Sequence, residues 1–376
     1  MTSVVQNVLV IGGGFSGMSA AIELRKRGVS VDLVEIDEGW RSYGAGISIG
    51  GATLRAFRQL GILERFLEEG AASDGVDACA PDGTPLATLP TPRVAGPDVP
   101  GGGAILRPVL ARILADATRA SGTNVRLGCS FTTIDQDADG VTVGFTDGST
   151  GRYDLVIGAD GLYSKVRGAV FPDAPTPAYS GQGVWRAVLP LPAEVERCVM
   201  WVGPQIKVGV NPVSRDEMYL FVTENRAENT FIAPDRFLPL LDGLLAPFPA
   251  PLVQWIRGQL TADSHIVYRP LEGLLMPQPW HRGRVVLVGD AVHATTPHLA
   301  SGACIGIEDA LVLAEELERA DRIAAGLEAF QDRRWERCRM VVENSRRLGE
   351  IEISGGDKRE HTDIMRASMA ALAQPI

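Results

Sequence analysis

Cysteine and histidine are both scarce, with five of each in 376 residues. Cys79, Cys129, Cys198, Cys304 and Cys338 form no C-x-x-C pair, so neither a zinc ribbon nor a dithiol redox motif is signalled. Their odd number and wide spacing predict buried thiols in a reducing compartment. His293 and His298 lie across Pro297 at a spacing poor for metal ligation, and no metal is expected. Positive charge is also short. Lys and Arg number 36 against 46 Asp and Glu, a net charge of −10, which argues against a nucleic-acid partner because phosphate backbones demand dense basic residues. A small anion in a locally basic pocket stays compatible.

No apolar run approaches the roughly 18 residues of a membrane span. The first run, Val8–Ile11, is short and passes straight into glycines, unlike a secretory signal. A soluble cytoplasmic protein, monomeric or homodimeric, is the expectation. No Ser-His-Asp arrangement is suggested either, since Ser16 belongs to the glycine loop and not to a G-x-S-x-G elbow. Repeats and low-complexity tracts are missing too.

What is present reads as α/β. Val8–Ile11 reads as a buried strand, Ser16–Arg27 as a helix and Ser30–Glu35 as a second strand, a βαβ unit. Thr53–Leu60, Ile62–Glu69 and Arg107–Ala120 carry helical spacing, while residues 81–104 lack periodicity and read as a surface excursion. The segment "VTVGF" lies between the turn signals "ADG" and "TDG" as a hairpin element. Leu155–Ile157 is again strand-like. Between 175 and 280, short strand-like pieces separated by Pro, Gly and charged turns predict an antiparallel sheet. Val285–Val288 returns to a buried-strand pattern, Ala303–Arg319 to an amphipathic helix, and residues 322–349 to a second, charged helix.

Gly12, Gly14 and Gly17 fit G-x-G-x-x-G between the first strand and its helix. The first glycine permits the tight turn, the second lets backbone approach a pyrophosphate, and the third lets helix and strand pack closely. The free N–H groups of the helix start then face the phosphates. Glu35 ends the second strand, where a carboxylate accepts from ribose hydroxyls and repels a 2′-phosphate. This context predicts a dinucleotide but does not choose between FAD and NAD.

Two later stretches discriminate. "DLVIGADGLYSKVR" contains D-G-x-x-S-x-x-R as Asp160, Gly161, Ser164 and Arg167. "GRVVLVGDAVHATTPHLASGACIGIEDA" delivers Gly289 and Asp290 after a strand, then passes Pro297 to a helix opening at Gly302 and Ala303. Asp290 suits a ribityl or ribose hydroxyl. Free N–H groups at Gly302 and Ala303 suit a flavin pyrimidine edge, whose reduced form carries negative charge. Taken together and in this order, over roughly residues 5–345, these motifs resemble the single-component FAD-dependent aromatic hydroxylases of the para-hydroxybenzoate hydroxylase type.

The resemblance implies a Rossmann-like FAD-binding domain built from residues 1–75, 104–174 and 281–320, an inserted substrate-binding sheet domain from 76–103 and 175–280, and a C-terminal helical segment, 321–376. It places Gly12, Gly14 and Gly17 at the FAD diphosphate, Glu35 at the adenosine ribose, and Phe15, Ser16, Ile36, Arg41, Gly46 and Arg107 against the cofactor. Asp160 and Gly161 fall in the motif tied to FAD and NAD(P)H. Gly289 and Asp290 hold the ribityl chain, Pro297 lies near the flavin face, and Gly302 and Ala303 at its pyrimidine end. It further implies NADH or NADPH as a transient co-substrate without a domain of its own, O2 as oxidant, and hydroxylation of a small aromatic or N-heteroaromatic ring through a flavin C4a-hydroperoxide. The loop "PHLASGACIG" departs from the Pro-x-x-Gly-Gln-Gly of many relatives and resembles the hydroxypyridine and small-phenol branch.

Electrophilic hydroxylation calls for removal of a ring-hydroxyl proton. His298, directly after Pro297, is the leading candidate base, ahead of His293; a structural role in the loop is the competing reading for either. Tyr219 in "EMYLFV" is the candidate for positioning a substrate oxygen, with core packing as its alternative. Arg186 in "VWRAV" is the candidate partner of a substrate carboxylate, or else lies on a solvent face. Trp185 and Trp201 are expected to pack, Lys207 and Arg215 to be solvated. A flavin halogenase is disfavoured because no Trp-x-Trp occurs. A flavin-dependent reductase or oxidase, and a non-catalytic flavin-binding module, are the remaining alternatives.

Overall fold

A computed structural model describes residues 3–42 and 44–376. Its centre is a six-stranded sheet in the order His281–Arg282, Val285–Leu287, Leu155–Gly158, Asn7–Ile11, Ser30–Glu35, Asn124–Leu127. Apart from the short His281–Arg282 edge, the strands are parallel. Val8–Ile11 and Leu155–Ile157 are fully enclosed because helices cover both faces, which is why they read as unbroken apolar runs rather than alternations. The helix Phe15–Lys26 packs against the helix Gly302–Arg319 across a contact made by Ser16, Gly289 and Gly306. A Cβ on either glycine would stand 2.3 Å from Ser16 Oγ, so larger residues are excluded.

The second layer is a seven-stranded sheet, ordered Val267–Gly273, Ala178–Pro190, Glu217–Asn225, Ile206–Pro212, Cys198–Val202, Val76–Cys79, Pro85–Leu89. Three expectations need correction here. The region 175–280 is not all sheet: Phe237–Leu245 and Pro251–Gln259 are helices. They exist because one face of the sheet is apolar. Trp185, Leu220, Val222, Leu241 and Val253 form a core there, with Trp185 edge-on to Phe237 at 5.4 Å, a contact worth about 0.5–1.5 kcal/mol beyond area burial. The sheet is not purely antiparallel, since Val76–Cys79 pairs parallel with Cys198–Val202. And the 81–104 excursion contains the exposed edge strand Pro85–Leu89.

A small sheet, Gly46–Gly50, Gly102–Leu106 and Ala71–Ser73, stands at the junction of the layers. The charged C-terminal stretch is longer than its periodicity suggests. One helix runs Ile323–Ser354, ends on Gly355 in the left-handed region (φ 62°), and is followed by Lys358–Ala373. Phe330, Cys338 and Val341 anchor the long helix to the nucleotide layer, while Glu352 near its end reaches Lys207 of the second sheet. The helix therefore straps the layers together. No helix among the described residues is long and apolar enough to cross a membrane.

Candidate active site

The glycine loop is held by its own neighbours. Gly12 has φ 110°, and a Cβ there would lie 2.4 Å from the Ala159 carbonyl oxygen; at Gly17 it would lie 2.0 Å from Gly12 O. At Gly14, by contrast, nothing lies within 4 Å of an added Cβ, so the turn presents open backbone. Glu35 accepts from Gly13 N–H at 2.7 Å and from Asp37 N–H at 2.8 Å, and Trp40 Nε1 donates to Gly13 O at 2.8 Å. Beside this loop is a cavity of about 500 Å³ lined by Trp40, Arg41, Gly44, Arg119 and His265. Arg41 is exposed and pairs with Asp37, and Ile36 is exposed next to it. Tyr43, between Arg41 and Gly46, lies outside the described residues.

The second loop meets the first at the same groove. Asp290 is solvent-accessible, yet protein crowds it enough that burial raises its pKa, while His293 and Arg107 pull it back. A carboxylate at the bottom of a cleft has this pair of properties. Arg107 opens the helix Arg107–Ala120 and lies 5.2 Å from the centroid of the Phe15 ring. Burial lowers its pKa, against the opposing charges of Asp290 and Tyr219. The helices Phe15–Lys26 and Gly302–Arg319 both start here without a side-chain cap, which leaves N–H groups free for a ligand.

Behind Asp290 runs a buried ionic network that sequence reasoning missed. Asp309 Oδ2 accepts from Gly289 N–H at 2.9 Å and contacts His293 Nε2 at 2.6 Å; Oδ1 accepts from Arg334 Nε at 2.8 Å. Arg334 also binds Glu308, which in turn holds Arg337. Burial alone would lower the His293 pKa, but Asp309 drives it well above its ordinary value; Asp309 is held low by His293 and Arg334 against its own burial. Ligand atoms of His293, Asp309 and Cys338 lie within 4.8 Å of one another. The Arg334 guanidinium already bonds to Asp309 and Cys338, so the place of a cation in that cluster is taken by arginine.

Asp160 has a local task. Its carboxylate accepts from Lys165 N–H at 2.7 Å, Val166 N–H at 3.0 Å and the Ser164 hydroxyl, capping the helix Lys165–Val170. Arg167 donates to Ala291 O and Leu162 O, tying this motif to the Asp290 loop. Gly161, at φ 80°, is the turn between them.

The open face of the second sheet supplies the other wall. Strand alternation puts Arg186, opposite Phe221, and Val188, opposite Tyr219, on this face, away from Trp185. Tyr219 packs with Ala104 and Val213, and a Cβ at Gly46 would lie 2.3 Å from its ring. Its hydroxyl is 2.6 Å from Ser48 Oγ, which accepts from Asn211 Nδ2 at 3.2 Å. Burial pushes the Tyr219 pKa up to about 12, against hydrogen bonds from Ser48 and the charge of Arg186. Tyr219, Arg186, Arg107, Asp290 and Gly46 are thus gathered at one cleft. Ser48 and Asn211 were not singled out from the sequence.

His298 is placed differently. Its side chain is only 3% exposed, with Nδ1 2.9 Å from Thr296 Oγ1 and Nε2 3.5 Å from Glu352. Burial lowers its pKa despite Glu352. The ring packs against Gly349 of the long helix rather than opening to the cleft, while Pro297 beside it is exposed. Lys207, expected to be solvated, makes a 2.6 Å ion pair with Glu352, which His361 also approaches at 3.2 Å.

An open glycine turn, two uncapped helix starts and an accessible acid at the base of a groove fit an extended dinucleotide with a ribityl chain. Comparison with known proteins agrees. The chain belongs to the FAD binding domain family, whose model matches residues 6–237 and 274–345. It is an FAD-dependent monooxygenase. It is 32% identical over 351 residues to aurachin C monooxygenase/isomerase of Stigmatella aurantiaca, covering 92% of this chain and 89% of that one. It is 33% identical over 355 residues to 2-heptyl-3-hydroxy-4(1H)-quinolone synthase of Pseudomonas aeruginosa, again covering 92% and 89%. The crystal structure of Klebsiella pneumoniae HpxO complexed with FAD and uric acid superposes with a TM-score of 0.84 at 27% identity, covering 98% of this chain and 93% of that one.

Proposed function

We propose that the ring to be hydroxylated lies between the flavin groove and the open face of the seven-stranded sheet, with its reactive oxygen against Tyr219. The single observation that carries this reading is the convergence of Tyr219, Arg186 and Arg107 from different elements on one cleft, with Asp290 at its base.

Gly12, Gly14 and Gly17 hold the FAD diphosphate, Glu35 the adenosine ribose, Asp290 the ribityl hydroxyls, and the N–H groups at Gly302 and Ala303 the pyrimidine edge. Bound FAD supplies acceptance of hydride from NAD(P)H and activation of O2. The protein's own side chains orient the ring and manage its proton. Ser48 sits between Asn211 and the Tyr219 oxygen. With Ser48 donating to that oxygen, the phenolic O–H turns into the cleft, where it donates to a substrate oxygen and stabilises negative charge as that oxygen ionises. Tyr219 is a donor here and not a base, because its pKa is raised. His298, buried between Thr296 and Glu352, serves as an anchor for the flavin-side loop rather than the proton acceptor.

The test is a panel of hydroxylated benzoates, pyridines and quinolones scored for stimulated NAD(P)H oxidation, with product mass measured. Stimulation accompanied by a product heavier by one oxygen atom supports the proposal. Tight FAD binding with no stimulation by any ring would overturn it.

A further inference from the structure

The loop from Pro297 to Gly302 is strained and is held from outside. Ala300 stands in the left-handed region at φ 48° and ψ 31°. A residue with a Cβ keeps that conformation only where its surroundings fix it. Inside the loop, Ser301 Oγ donates to Leu299 O at 2.7 Å, Ala300 N–H donates to Pro297 O at 2.9 Å, and Thr296 Oγ1 meets His298 Nδ1 at 2.9 Å. The outer restraint comes from the far end of the helix Ile323–Ser354. The His298 ring lies over Gly349, where an added Cβ would stand 3.1 Å from its Cε1 and 3.0 Å from Gln182 Oε1. One turn further on, the Glu352 carboxylate lies 3.5 Å from His298 Nε2. Three other elements fix Glu352 in its turn. Lys207 of the second sheet reaches it at 2.6 Å, His361 of the last helix at 3.2 Å, and Asn225 Nδ2 donates to its backbone carbonyl at 3.4 Å.

We infer that Glu352 is a positioning residue for the flavin: through His298 it holds the Pro297–Gly302 loop in its strained turn, and so sets where the Gly302 and Ala303 N–H groups stand. The inference rests on the flavin placement proposed above, with the pyrimidine edge at those N–H groups, and adds what fixes it. Such donors favour reduced over oxidised flavin, because the reduced ring carries negative charge at that edge. A loop free to shift loses part of this preference while the chain stays folded and FAD stays bound. Lys207 lies on the strand Ile206–Pro212, which also carries Asn211, the donor to Ser48 beside Tyr219. One carboxylate therefore ties the flavin-side loop to the sheet that receives the ring.

The experiment is a reductive titration of FAD-loaded full-length protein against a redox dye, without substrate or NAD(P)H, at pH 7 and well below the melting range. Glu352→Gln should lower the preference for reduced over oxidised FAD about tenfold, which for a two-electron couple is about 30 mV toward more negative potential. Gly349→Ala should move the potential the same way. Its added methyl displaces the His298 ring while alanine favours the helix, so this variant separates loop position from a failure to fold. Glu360→Gln breaks an exposed pair with Arg347 between the same two C-terminal helices and should leave the potential unchanged. Gly302→Pro removes one of the assigned N–H groups at a first helical position, which tolerates proline, and should shift both the potential and FAD affinity. An unshifted potential in Glu352→Gln or in Gly349→Ala overturns the inference. So does an equal shift in Glu360→Gln, which would mark general loosening. If Gly302→Pro changes neither potential nor affinity, the flavin edge is not at this helix start, and the placement and the inference fall together. A shift there without one in Glu352→Gln overturns the role of Glu352 alone.

Discussion

Asp309→Asn removes one charge from the centre of the network behind the flavin loop and leaves the side-chain shape nearly unchanged. In the native protein Asp309 faces His293 at 2.6 Å, Arg334 at 2.8 Å and the Gly289 N–H at 2.9 Å, all buried. Arg334 is left with Glu308, which Arg337 already shares. Breaking a buried pair from one side costs about 3–5 kcal/mol. With an unfolding entropy of about 2.1 cal/mol/K per residue, a chain of this length loses roughly 0.8 kcal/mol per kelvin at its midpoint, so Tm should fall by about 4–6 °C. The pH dependence has a definite sign. The folded His293 pKa is raised, so its stabilisation is complete below the unfolded value of about 6.5 and fades as pH rises through the folded value. The folded Asp309 pKa is lowered, so its share is present above about 3.9 and fades as pH falls through the folded value. The Asn variant should therefore suffer most near pH 5–6 and less in alkali. Calorimetric melts at pH 6 and at pH 9 read this directly, and flavin fluorescence during the melt reports FAD release. A Tm within 1 °C of wild type at pH 6, or a loss equal at both pH values, refutes the reasoning.

Asp290→Ala should raise the FAD dissociation constant about 10- to 100-fold, the worth of a hydrogen bond to a charged group; fluorescence titration of the apoprotein measures it, and unchanged affinity removes Asp290 from its assigned place. Tyr219→Phe keeps the ring packing against Gly46 and should lower the rate of product formation about a hundredfold with Tm nearly unmoved. An unchanged product rate means that another group handles the proton. Glu352→Gln should cost about 1–3 kcal/mol at pH 7, because the carboxylate serves Lys207, His298 and His361. Burial opposes ionisation of Glu352, but the Lys207 charge and the hydrogen bonds of His298 and His361 hold its pKa far below the usual range, so the stabilisation exists above about pH 4.3 and is lost in acid. Wild type and variant should thus converge as pH falls; a gap that widens in acid contradicts the assignment.

Much of the candidate cofactor groove was legible in the amino-acid order. Gly12, Gly14 and Gly17 are demanded by backbone within a few residues of themselves, a positive φ, an open approach and a close helix–strand contact. Gly289 and Asp290 lie at a strand end whose pattern is equally local. Such requirements leave a signature at fixed spacing, as do the parallel strands buried on both faces. The helices Phe237–Leu245 and Pro251–Gln259 were less legible, because they exist to cover an apolar sheet face that the one-dimensional pattern does not display.

The amino-acid order by itself determined the α/β scaffold and the shape of the glycine and Gly289–Asp290 loops, since each depends on short-range geometry, and its motifs together resembled a family that uses FAD. Tertiary structure alone decided which side chains share a space. Ser48 and Tyr219 are 171 positions apart yet joined by a 2.6 Å hydrogen bond, and His298 turned toward Glu352 because the long helix passes over its loop. Asp309 found Arg334 only when two helices packed. Contacts of that kind follow from how layers stack, and charge pairing in a buried place depends on what the stacking leaves nearby.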